Sequence, residues 1–128
     1  MREIVFYLGM GTLFTHELDA MANHEWRVLP MVRMLPNDMG MIVFVIAHVP
    51  IFAVLIALVA SSNDRTRARS RLVISGFLVL HGLVHALYMN HPNYEFSSIL
   101  SNTLIFGGAA FGAVYLGLLV WSRHEATT

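Results

Sequence analysis

Residues 39–61 read MGMIVFVIAHVPIFAVLIALVAS. The run carries no formal charge, and at about 1.5 Å per residue it is long enough to cross roughly 30 Å of hydrocarbon. Two further runs do the same: 72–89 (LVISGFLVLHGLVHALYM) and 103–121 (TLIFGGAAFGAVYLGLLVW). A fourth, 4–20 (IVFYLGMGTLFTHELDA), is less apolar because His16, Glu17 and Asp19 interrupt it. The spacing predicts an all-α, up-down four-helix bundle in a membrane, one transmembrane domain over residues 1–128.

Composition agrees. The 128 residues are 56% hydrophobic and 12% charged, with mean hydropathy +0.62, too apolar for a soluble domain of this size. The formal net charge is zero, which argues against a nucleic-acid partner. All 8 basic residues are arginine, a usage that leans bacterial. The absence of cysteine removes disulfides and thiolate ligands, so any metal must sit on His, Asp, Glu or Met.

Orientation follows from the connector SNDRTRARSR, where Arg65, Arg67, Arg69 and Arg71 cluster. The positive-inside rule assigns it to the cytoplasm, together with Arg2 and Arg123 and hence both termini. The expected location is a bacterial inner membrane. A competing reading takes residues 1–22 as a signal peptide ending at Ala20-Met21-Ala22, although Met1-Arg2-Glu3 lacks the positive charge such a segment carries.

With that orientation, six of the seven histidines fall on or toward the outer side, and only His124 lies in the cytoplasmic tail. Burying imidazole among apolar helices costs free energy unless it finds partners, so function is sought there. His81 and His85, at i and i+4, share one helix face, as do His16 and Asp19 at i and i+3, with Thr12 one turn below. By depth, His16 pairs with His85 and His48 with His81. His16, Asp19, His81 and His85 are the expected ligands of a transition metal, zinc, iron or copper. HGLVH lacks the Glu of a zincin motif, since Gly82 stands there. Glu17 and His48 are candidate catalytic groups, as proton carriers.

Other readings compete. His48 and His81 at equal depth could ligate haem b, with Gly82 making room. The same polar residues could form a relay in a transport or accessory subunit, or only hydrogen-bond in a structural one. Met31, Met34, Met39 and Met41 are soft enough for Cu(I) but more often pack apolar surfaces. Trp26 fits an interfacial anchor, Pro30 and Pro36 fold residues 21–38 into a lid, and Arg27 and Arg33 on it could meet an anionic group. Pro50 should kink the second helix beside His48. Gly108 and Gly112, four apart, allow close helix contact within the bundle or in a homo-oligomer. Expected partners are the lipid bilayer and a lipid-soluble small molecule.

The segment FYLGMGTLFTHELDAMANHEWR, Phe6 to Arg27, resembles the opening of a small bacterial membrane-protein family of unknown function. Its mark is HELDA followed by HEWR. The resemblance implies a four-helix membrane protein and transfers no activity. Membrane hydrolases related to alkaline ceramidases also use His and Asp for zinc, but they have more helices and another motif order, so no residue is carried over from them.

Overall fold

The structure, a computed structural model, describes residues 1–125 except for the side chain of Arg123. The contribution of Arg123 to the charge asymmetry therefore lies outside the described residues. Four helices run α1 Arg2–Ala22, α2 Asn37–Val59, α3 Asp64–Tyr88 and α4 Ile99–Glu125, with short 3-10 turns at Glu25–Arg27 and Val32–Met34 between α1 and α2. This is an all-α bundle, as the four apolar runs require. Three of the helices, α2, α3 and α4, are long and apolar enough to cross a membrane. The first is not among them, because His16, Glu17 and Asp19 interrupt its apolar surface; it is built into the bundle all the same.

Core packing shows how. Phe6 and Met10 of α1, Val59 of α2, Ile74 of α3 and Tyr115 of α4 form one buried cluster. A second cluster, Ala20, Trp26, Phe44, Phe96 and Ile105, lies toward the His-rich end. The most extensive interfaces are α1 on α4 and α3 on α4, so α4 is the common support. α2 is the least enclosed, with only Gly40, Phe44 and Val59 buried. It meets α1 through the tilted Phe14–Phe52 pair, 4.7 Å between centroids.

The connector read from sequence as a cytoplasmic loop is mostly helix. Asn63 caps α3 by accepting the Thr66 backbone N–H at 3.0 Å, the side-chain cap that Asn supplies well, so Arg65 to Arg71 occupy its first turns. Arg71 is buried, donates to Glu3 and to Tyr7 Oη, and lies 5.3 Å from the centroid of the Phe6 ring. One arginine of the charge cluster thus locks α3 to α1 instead of facing water.

The small residues of α4 are used inside the bundle. A Cβ on Gly112 would lie 2.5 Å from the Ser75 backbone oxygen, and one on Gly108 would touch Leu78 and Thr12. On α3, a Cβ at Gly82 would lie 2.7 Å from Ala109 Cβ. Gly82 therefore makes room for α4, not for a haem, and the Gly108/Gly112 face expected to serve packing within the bundle or between copies packs on α3 and α1. Thr12 bonds back to the Leu8 carbonyl at 2.8 Å and offers its methyl to Gly108.

Gly112→Ala must push α4 off the α3 backbone and is expected to cost about 1–3 kcal/mol. Gly76→Ala, with nothing within 4 Å of the added atom, should leave stability unchanged or slightly raised. Thermal unfolding of both variants in one detergent checks this; equal midpoints would contradict the packing described.

Candidate metal centre

His81 and His85 project from one face of α3, as their spacing demands, and meet His16 of α1. The three imidazoles pack edge to face, with centroids 4.9 Å (His16–His81), 5.0 Å (His16–His85) and 4.5 Å (His81–His85) apart. One nitrogen from each can be chosen so that all three lie within 4.8 Å of one another. Ligand atoms on a tetrahedral ion at about 2.0–2.1 Å are roughly 3.3 Å apart, somewhat closer than the limit within which these nitrogens lie.

The Glu25 carboxylate lies beside them. Its Oε2 lies 3.8 Å from His16 Nε2 and its Oε1 lies 3.8 Å from His85 Nε2. The converging group is the three imidazoles, without Asp19 or Glu25; Asp19, the carboxylate expected from sequence, adds its charge beside Glu25, and its backbone oxygen accepts from Asn23 Nδ2 at 2.8 Å. Chain reversal brings Glu25 to the imidazoles. After α1 ends, His24 takes a left-handed conformation at φ 48° and turns Glu25 back over the mouth of the bundle. Nothing in helical periodicity foretells this; the only local signal is Asn23-His24, two residue types that tolerate such a turn.

The polar atoms here are unusually bare. His16 Nδ1, His16 Nε2, His81 Nε2 and Glu25 Oε2 are buried without any hydrogen-bond partner, and so is Asp19 Oδ2. Each such group costs about 1–3 kcal/mol, and most buried polar atoms in native proteins avoid the penalty. A cation at the centre of the cluster would supply the missing partner to several of them at once. Burial, reinforced by the charges of Glu17 and Asp19, pushes the Glu25 carboxyl up to about 8, a repulsion that a bound cation reverses.

Surrounding groups orient the donors. His85 Nδ1 lies 3.1 Å from Tyr94 Oη; with Nδ1–H donating there, Nε2 keeps its lone pair for the centre. Burial and the nearby Glu25 charge push the Tyr94 phenol up to about 12, so it stays protonated. Phe96, almost fully buried, covers His16 and His85 at 5.4 and 4.9 Å.

His48 stands apart from the triad. Its Nδ1 donates to the Phe44 carbonyl at 2.7 Å, and its Nε2 is 2.9 Å from Glu17 Oε2. The carbonyl used is not that of Ile46, which Pro50 deprives of a donor. Both ring nitrogens are engaged, and His81 faces His16, so His48 and His81 are not arranged as a haem pair. The two residues read separately as catalytic candidates, Glu17 and His48, are instead each other's partners.

The lid forms as expected, with different anchors. Trp26 is buried, donates from Nε1 to Asn37 Oδ1 at 3.1 Å and lies against Gly40; it is core and not an interfacial anchor. Arg27 donates to Asn37 Oδ1 at 3.0 Å and to Glu95 Oε1 at 3.1 Å, which occupies the charge proposed for an anionic group. Arg33 lines a shallow polar pocket with Trp26, Asn37 and Asn93. Met31 and Met34 are about 80% exposed and do not approach the histidines.

Glu95 latches the lid to the α3–α4 loop, meeting His24 Nδ1 at 2.8 Å as well as Arg27. The hydrogen bond to His24, helped by the Arg27 charge, holds its carboxyl below the ordinary 4.5. A lowered value means that the contact stabilises above about 4.5 and is lost as pH falls through the folded value. Corrected hydrogen exchange of residues 23–36 should therefore speed up when pH drops from 6 to 3.5. Glu95→Gln should exchange fast at both; a variant matching the unaltered protein at pH 6 would contradict the latch.

No curated protein and no solved structure matches the chain. The sequence does match, over residues 2–122, a family of unknown function (DUF6713). The bundle and its histidine cluster are thus features of a chain that belongs to that family.

Proposed function

We propose that this is a membrane-embedded metalloprotein in which His16, His81, His85 and Glu25 hold one divalent transition metal in the outer half of a bacterial inner membrane. The observation that carries the reading is the set of partnerless buried atoms, His16 Nε2, His81 Nε2 and Glu25 Oε2, at the meeting point of three imidazoles. Three nitrogens and one carboxylate oxygen suit zinc or iron better than calcium or magnesium.

The chemistry that such a centre supplies is Lewis-acid activation of a water or of a substrate oxygen. Glu17 and His48, hydrogen-bonded to each other, accept or return the proton that this activation displaces. With iron or copper the same donors support redox chemistry, and metal analysis separates the cases. A lipid-soluble substrate fits a centre roofed by its own lid and walled by apolar helices. The arginine-rich start of α3 and the opposite, histidine-rich end favour cytoplasmic termini.

Metal analysis after purification in mild detergent should find about one transition-metal ion per chain. His81→Ala, His85→Ala and His16→Ala should lose most of it, and Glu25→Gln should weaken binding by roughly 10–100-fold, the range for groups that support a metal site. His124→Ala, at the other end of α4, should retain the metal. Equal content in all variants would refute the site, and a Soret band would restore the haem alternative. Reporter fusions after residues 62 and 128 should both read cytoplasmic; two extracytoplasmic readings would reverse the orientation.

A further inference from the structure

A cavity of about 300 Å³ lies between α2 and the α1/α3 pair. Its polar lining is Glu17, Glu25, His48 and His81, which means that it touches the metal centre and the proton-carrying pair together. Its walls are apolar: Val43, Ala47 and Ile51 of α2, Phe77 of α3 and Leu29 of the lid. Val43, Ile51 and Phe77 are 39%, 47% and 47% exposed, so the cavity opens on the side of the bundle between α2 and α3. These two helices are long and apolar enough to lie in hydrocarbon, and the opening therefore faces lipid tails instead of water.

A chamber with a polar floor, apolar walls and a lateral mouth selects one kind of occupant. A small hydrophilic molecule would leave the walls bare, whereas a long hydrocarbon alone would bring no polar group to the few polar side chains at the inner end. An amphiphile satisfies both. We propose that the chamber takes the alkyl chain of a single-chain lipid entering between α2 and α3, with its oxygen-bearing head presented to the metal centre and to Glu17 and His48. The proposal rests on the metal-centre reading and deepens it by naming the substrate class. α2 suits a movable wall, since only three of its residues are buried and Pro50 removes one backbone bond beside His48.

A second cavity, of about 250 Å³, reaches His85 and Glu25 from the other side and is bordered by Val84, Tyr88 and Tyr94. Leu29 and Glu25 border both cavities. It supplies the control, because a chain lying there would feel a bulky residue at position 84 and not one at 47.

The test uses the full chain in detergent, loaded with cobalt(II) and titrated with acetohydroxamate or dodecanohydroxamate while the visible cobalt bands are recorded. The hydroxamate is a metal-binding oxygen head, and the two probes differ only in chain. The long-chain probe, concentrated in the detergent by its own partition, should shift the cobalt bands at a lower total concentration than acetohydroxamate. Ala47→Trp and Val43→Trp should keep cobalt and bind acetohydroxamate normally, yet bind dodecanohydroxamate at least tenfold more weakly than the unaltered protein. Val84→Trp should keep the long-chain gain. Partition of the probe into detergent is common to all four proteins and cancels in the comparison. If both α2 variants retain the gain, or if Val84→Trp loses it, the chamber assignment is overturned while the metal centre stands. If the unaltered protein takes up no cobalt, the metal centre and the chamber fall together.

Discussion

Close approach of α3 to α4 is the constraint on which the site depends. Gly112 lets the Ser75 carbonyl come so near that no side chain could be added, and Gly82 does the same for Ala109. α1 docks on α4 as well, bringing His16 into ring contact with His81 and His85 although the α1 and α3 backbones approach each other over only a short length. α4 contributes no donor to the centre. Its small residues set the distance between the two helices that carry the histidine cluster, and a cluster built from different helices is only as accurate as that spacing.

Closing the bundle over the centre falls to a short and heavily bonded lid. The left-handed turn at His24 aims Glu25 inward, Trp26 seats the following turn in the core, and Glu95 ties both flanking residues, His24 and Arg27, to the opposite loop. The Glu25 carboxylate is thereby largely excluded from water. This exclusion raises the cost of leaving it unpaired and strengthens any charge that meets it.

α2 behaves differently from the other helices. It is the most apolar and the least enclosed, so its stability in this fold rests on a lipid surround and on a few contacts, chiefly Val59 in the core and His48 on Glu17. A half-buried polar bond at the edge of an otherwise greasy interface holds α2 at one rotation. That rotation determines which of its side chains line the chamber and which face the tails.

Much of the architecture was legible in the linear sequence because hydropathy and helical period are local properties. Four apolar runs became four helices, the i,i+4 spacing placed His81 and His85 together, and the polar turn of α1 pointed to His16. The shortfall lay in what depends on how one helix is turned against another or on how a loop folds back. Asp19 was the nearer carboxylate along the helix, yet Glu25 arrives through the reversal at His24. His48 matched His81 in depth, yet depth says nothing of rotation, and it bonds Glu17. Trp26 had the composition of an interfacial residue and is buried because Gly40 opens a seat for it. The sequence by itself determined the helices, their apolar character and the face that bears the histidine pair. Only the tertiary structure decided the partners of those histidines, since hydrogen-bond reach is a few ångströms and helix rotation, loop reversal and glycine-mediated approach each move a side chain by more than that.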